Sequence, residues 1–92
     1  TAWIGFDLDG TLAHYESGNI DEIGAPIAPM VDRLREHLAE GHVCKVYTAR
    51  VAHDEAGVHV AMIHAWLEGQ GLPALEVTNC KDYGMIKCYD DR

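Results

Sequence analysis

The chemistry in this chain is concentrated in short polar clusters that follow apolar runs. The first is Asp7-Leu8-Asp9-Gly10-Thr11. Alternate residues of an extended segment point the same way, so Asp7 and Asp9 are expected on one side of a strand tip, where two carboxylates can address one phosphorus. Gly10 lets the backbone turn sharply or approach a ligand closely, and Thr11 can tie that turn through its hydroxyl. Thr48-Ala49-Arg50 adds a hydroxyl and a guanidinium, Lys81 adds an ammonium, and Asp90-Asp91 form a second acidic pair. Bringing Asp90 and Asp91 near Asp7 crowds like charges, which is unfavourable unless some carboxylates protonate or a hard cation joins them. Mg²⁺ suits that role. It takes oxygen ligands in octahedral geometry and keeps several waters, so one or two carboxylates, a carbonyl and a substrate phosphate oxygen would complete its shell. Such an ion lets an anionic nucleophile approach an anionic substrate.

These groups need elements that bring them together. Ala2 to Leu8 reads as a buried strand opening into the Asp-rich loop, and residues 12–25, broken by Gly18, Asn19 and Gly24, read as a flap or irregular hairpin. Pro29 fits the first turn of a helix in which Met30, Val31, Leu34 and Leu38 recur at helical spacing until Gly41. Val43–Tyr47 reads as a second strand. A second helix is expected from Asp54 to Gln70, with Val58, Met62, Ala65 and Trp66 on its inward stripe and Ile63 and Leu67 beside it. Leu75–Thr78 and Met85–Tyr89 complete the strands. Strands alternating with helices predict a Rossmann-like, mainly parallel α/β sandwich of three layers, formed as one domain over 1–92. Functional residues of such sheets gather beyond the carboxyl ends of the strands, where Asp7/Asp9, Thr48 and Asp90/Asp91 all fall.

Asp7-Leu8-Asp9-Gly10-Thr11 after an apolar strand resembles the first motif, DxDGT, of the haloacid dehalogenase (HAD) superfamily. Thr48 resembles its second motif, Lys81 its third and Asp90-Asp91 its fourth, in the family's order across the whole chain. The resemblance implies a small capless phosphatase. Asp7 would be the nucleophile that is transiently phosphorylated. Asp9 would protonate the leaving group, activate the hydrolytic water and offer its main-chain carbonyl to the metal. Thr48 and Lys81 would bind and neutralise the phosphoryl group, and Asp90 and Asp91 would position Mg²⁺. Dehalogenases of the superfamily lack an acid at the place of Asp9, so phosphate chemistry is expected. The helix from Pro29 fills much of the stretch between Thr11 and Thr48 and leaves no room for a folded cap. The substrate is therefore expected to be a phosphorylated small molecule or the phosphorylated end of a larger one.

Each feature also has a plainer reading. Asp-Gly after a strand is an ordinary turn, and Asp-Asp is often solvated charge. Their joint order is what points to chemistry. Arg50 is either a solvated residue or a substrate contact. Lys87 competes with Lys81 as the phosphate-neutralising lysine, but it lies inside a strand. Most of the six histidines read as bland, since His59 and His64 are spaced wrongly for one helical face, while His14 and Tyr15 could touch substrate. Only a short segment joins the last two strands, where a parallel crossover usually takes a dozen residues or more. The sequence also stops just after the fourth motif, where the family continues, so an incomplete carboxyl end and an uncovered sheet face are expected.

The net charge of −8, from 15 acids and 7 dispersed bases, argues against duplex nucleic-acid binding. Three unpaired cysteines (Cys44, Cys80, Cys88) without metal-ligand spacing predict buried thiols in a reducing cytoplasm. No run is long enough for a membrane helix, and no signal peptide is expected. Two rival functions remain open. One is a nucleotide or polynucleotide end phosphatase, since the capless layout and the Asp-Asp-Arg ending resemble the phosphatase domain of polynucleotide kinases. The other is a non-catalytic phosphate- and metal-binding or receiver-like domain, although receivers carry their acidic pair after the first strand.

Overall fold

Trp3–Asp7 form the first strand, β1, and every residue in it is buried. A strand covered on both faces belongs in the middle of a parallel sheet. The computed structural model, which describes residues 2–15, 22–52, 54 and 57–90, places it there. β2 (Cys44–Tyr47) runs parallel on one side, pairing Ile4 with Cys44 and Asp7 with Tyr47. β3 (Glu76–Thr78) extends the sheet beyond β2, and β4 (Met85–Tyr89) pairs with the other edge of β1. The order is β3-β2-β1-β4, all parallel, in a small Rossmann-like α/β domain.

Helix α1 (Ala28–Ala39) joins β1 to β2, with Pro29 in its first turn, and α2 (Val58–Gly69) joins β2 to β3. Both crossovers step the same way along the sheet, so their right-handedness puts both helices on one face. Val31 and Leu34 of α1 and Ile63 and Leu67 of α2 accordingly share one cluster with Ile4, Phe6, Cys44 and Val46. The inward stripe of α2 differs from the expected one. Ile63 and Leu67 are fully buried, whereas Val58 and Ala65 are exposed. The helix also starts at Val58 rather than Asp54. Asp54 lies just before it and accepts the amides of His59 and Val60 at 3.0 and 2.9 Å. Trp66 is half-buried and donates its indole N–H to the Gly24 carbonyl at 3.0 Å, fastening the base of the flap to α2.

The short β3–β4 link is explained by what it does. Residues 79–84 contain no helix and cross the opposite face of the sheet to reach the far edge of β1. The Asp82 carboxylate accepts the Trp3 indole N–H at 2.7 Å, and Lys81 Nζ stands 5.4 Å from the Tyr47 ring centroid. Among the described residues this extended segment, rather than a layer of helices, lies on that face. Gly5 lies under the Met85 and Trp3 side chains, where a Cβ would come within 2.7 Å of Met85 Cε and 3.0 Å of the Trp3 ring, so a larger residue would displace the flexible end of Met85. Among the described residues, no helix is long and apolar enough to cross a membrane. Of the thiols, Cys44 is buried as expected, but Cys80 is exposed.

Candidate active site at the β1–β4 switch point

Strands β1, β2 and β3 are added toward one edge of the sheet and β4 is added on the other side of β1, so the topological switch point, where α/β sheets bind ligands, lies between the ends of β1 and β4. The residues leaving the strands there are the ones singled out by their chemistry. Phe6 pairs with Tyr89, so Asp7 and Asp90 follow on neighbouring strand ends, about 4.8 Å apart in the pairing direction. Tyr47 pairs with Thr78, and Thr48, the next residue, donates its amide to the Thr78 carbonyl at 2.9 Å. Among the described residues, the buried polar or charged side chains are Asp7, Asp9, Thr11 and Thr48, all at most 8% exposed. Burial of such groups is costly unless partners or ligands compensate it, so their convergence marks a site.

The loop after β1 is a tight coil around the Leu8 carbonyl, which accepts the amides of Thr11, Leu12 and Ala13 at 3.0–3.3 Å. Gly10 takes φ 84°, a left-handed conformation that glycine adopts without strain. Beyond it, His14 donates to the Ala25 carbonyl and Ile27 to the Leu12 carbonyl, both at 2.8 Å, so the ends of the flap pair like a hairpin. Residues 16–21 of the flap lie outside the described residues. Thr48 caps a 3₁₀ turn at Ala49–Val51, and its hydroxyl accepts the Arg50 amide at 3.2 Å.

Arg50 is not a solvated side chain. Its guanidinium grips both oxygens of Asp9 at 2.8 Å and donates to the Glu22 carbonyl at 2.9 Å. The fork geometry matches a carboxylate. Arg50 is thus engaged with the second carboxylate of the motif and with the base of the flap. Its pKa is raised first by the hydrogen bond to Asp9, against the opposing effect of burial.

Lys81 and Lys87 sit on opposite faces. Lys87 pairs with Ile4 on the helix side and rests 4.8 Å from the Tyr89 ring centroid. Lys81 lies over Tyr47, the residue opposite Asp7. The Cys88 thiol reports the convergence on this side. Burial raises its pKa, the charge of Lys81 opposes that rise, and Asp90 and Asp7 add to it. Asp91 lies outside the described residues.

A cavity of about 340 Å³ opens beside this cluster, lined by Gly10, Thr11, Ile27, Met30, Tyr89 and Asp90. It shares Gly10, Thr11 and Asp90 with the predicted site and does not include Asp7, Asp9, Thr48, Arg50 or Lys81. Its wall is largely apolar, with Tyr89 stacked on Phe6 at 4.7 Å. The Tyr89 phenol is held below its ordinary pKa, first by Lys87 and then, against burial, by Arg33. For a hard cation the chain offers Asp7, Asp90 and the Asp9 carbonyl, an all-oxygen set on adjacent strand ends, which is the donor chemistry of Mg²⁺. The carboxylates are not drawn into one tight cluster. Among the described residues, the group of three or more potential ligand residues whose atoms all lie within 4.8 Å of one another is His37, Glu40 and His42. The sequence by itself reads His37 and His42 as bland and gives Glu40 no role. A helix-stopping Gly41 between Glu40 and His42 was the available signal.

No family model and no curated protein matches the chain. A solved structure of a conserved protein coded by a locus from Bacteroides thetaiotaomicron is similar, with a TM-score of 0.73 and 20% identity over 100% of this chain and 78% of that one. At that identity the likeness bears on the fold alone.

Proposed function

We propose that the chain is a phosphomonoester hydrolase of the HAD type, acting through a phosphorylated Asp7. The observation that carries this reading is the convergence of Asp7, Asp9, Thr11 and Thr48 as the buried polar side chains at the switch point, with Lys81 on the same face. Four acceptor-rich and donor-rich groups in that order suit an electrophilic phosphorus flanked by anionic oxygens.

In this reading an Asp7 oxygen forms a bond to phosphorus as the bond to the leaving oxygen breaks. Thr48 donates its hydroxyl proton to a phosphoryl oxygen, and Lys81 offsets the charge. Asp9 delivers a proton to the leaving oxygen, then takes one from the water that cleaves the acyl phosphate. A Mg²⁺ ion held by Asp7, Asp90 and the Asp9 carbonyl would neutralise the approaching anions. Arg50 is a positioning residue: while it holds both oxygens of Asp9, that carboxylate faces Arg50. One of the two bonds must open before Asp9 can pass a proton, and the Arg50–Glu22 contact makes the flap base the element tied to that opening.

The apolar cavity beside the cluster favours a leaving group with a flat, apolar part. A nucleotide is the second reading, supported by Met30 and Tyr89 in the cavity wall and by Arg33 5.9 Å from the Tyr89 ring centroid.

The test is hydrolysis of p-nitrophenyl phosphate with Mg²⁺ or with EDTA, by the wild type and by Asp7→Asn. Turnover requiring both metal and Asp7 supports the proposal, and an active Asp7→Asn variant rules it out. Comparing nucleoside monophosphates with sugar phosphates then separates the two substrate classes.

A further inference from the structure

Helix α1 ends in a Schellman turn. His42 donates its amide to the His37 carbonyl and Gly41 to the Leu38 carbonyl, both at 3.0 Å, and Gly41 takes φ 85°. In this motif the first and last residues usually carry apolar side chains that touch. Here both are imidazoles. His37 Nδ1 and His42 Nδ1 lie 2.9 Å apart, and Glu40, the helix cap between them, brings a carboxylate oxygen within 4.8 Å of both.

We propose that His37, Glu40 and His42 form an open-sided site for a divalent transition-metal ion of the zinc class, separate from the carboxylate site at the strand ends. Two imidazole nitrogens and one carboxylate are a common zinc set, and nitrogen donors select Zn²⁺, Co²⁺, Ni²⁺ or Cu²⁺ over Mg²⁺. The spacing fits. Nitrogens about 2.0–2.1 Å from a tetrahedral ion are ~3.3 Å apart, so the pair needs to open by only a few tenths of an ångström.

The far side of His37 provides the second argument. Its Nε2 lies 3.0 Å from the Tyr89 hydroxyl, and its ring meets Phe6 edge-on at 6.0 Å. If Nε2 carries the proton and donates it to Tyr89, Nδ1 is left with its lone pair toward His42. An outer partner that sets the tautomer and ring orientation is the usual support of a metal-bound histidine. Glu40 and His42 are exposed, which leaves the remaining coordination positions to water. Because Tyr89 also lines the cavity, an ion at the helix end would be joined to the cavity wall through one imidazole.

The proposal does not depend on the phosphatase reading, and neither does its test. Tag-free protein stripped with EDTA is titrated with Zn²⁺ by calorimetry and with Co²⁺ by visible absorption, in the wild type, His42→Ala, Glu40→Gln and Asp90→Asn. The expected result is one equivalent bound, d–d bands without a thiolate charge-transfer band, and no displacement by millimolar Mg²⁺. Affinity should fall about tenfold or more in His42→Ala, less in Glu40→Gln, and not at all in Asp90→Asn. Unchanged affinity in a folded His42→Ala, or a thiolate band from one of the cysteines, would overturn it.

Discussion

The two faces of the sheet are built on different principles. On the helix side, Ile4, Phe6, Cys44 and Val46 lie under α1 and α2, each at most 4% exposed, and apolar area holds that face together. On the other side, Trp3, Lys45 and Tyr47 meet the 79–84 crossing through a few directed contacts. Trp3 donates to Asp82, Lys45 Nζ sits 4.5 Å from the Trp3 ring centroid, and Lys45 pairs with Glu76 at 3.1 Å. Asp7 ends the row that begins with Trp3 and Gly5. Asp7 and Lys81 therefore belong to the thinly tethered face, while stability resides mainly on the other.

Deleting the centre of the dry face is the strongest challenge to that contrast. Phe6→Ala removes a fully buried ring stacked on Tyr89 and should cost about 3–5 kcal/mol in urea unfolding. A loss below about 1 kcal/mol would mean that the helix face is not the main source of stability.

Arg50→Ala is expected to have an intermediate effect. It leaves the Asp9 carboxylate without its forked partner, and both side chains are about nine-tenths buried. A cost of about 2–3 kcal/mol is expected. Restoration of stability but not full activity by Arg50→Lys would separate the charge of Arg50 from its geometry, because an ammonium cannot form the fork.

Asp82→Asn should have the smallest effect, confined to the tethered face. The Trp3 N–H and then the Gly84 amide hold the Asp82 carboxyl below its ordinary pKa, with burial opposing them. A carboxyl depressed in the folded state stabilises above its unfolded pKa, and that contribution is lost as pH falls through the folded one. The wild type should thus lose stability relative to Asp82→Asn as pH drops from about 5 toward 2. Parallel stability curves for the two proteins would show that the Asp82 tether contributes nothing.

Much of this was legible in the residues themselves. The apolar runs ending in Asp, Thr and Asp-Asp located β1, β2 and β4, and β4 spans Met85–Tyr89 as expected. Pro29 and Gly41 bracketed α1, because proline tolerates a first helical turn and glycine the left-handed turn that follows a last one. These signals are local, since each depends on the preference of one residue or on a short period. The inward stripe of α2 is not legible, because nearly every position there is apolar and periodicity alone does not choose the side that Ile63 and Leu67 occupy.

What the sequence determined by itself was which residues end the strands and the chemistry they offer. Only the tertiary structure decided where those ends meet. The strand order that sets Asp90 beside Asp7, the face that gives Lys81 rather than Lys87 to the Asp7 side, and the grip of Arg50 on Asp9 all join residues far apart in the chain. Such contacts follow from crossover handedness and register, which no local pattern encodes. The His37–His42 pair shows the same limit at short range. A spacing of five is wrong for a continuous helix, and only the turn at Gly41 brings the two rings together.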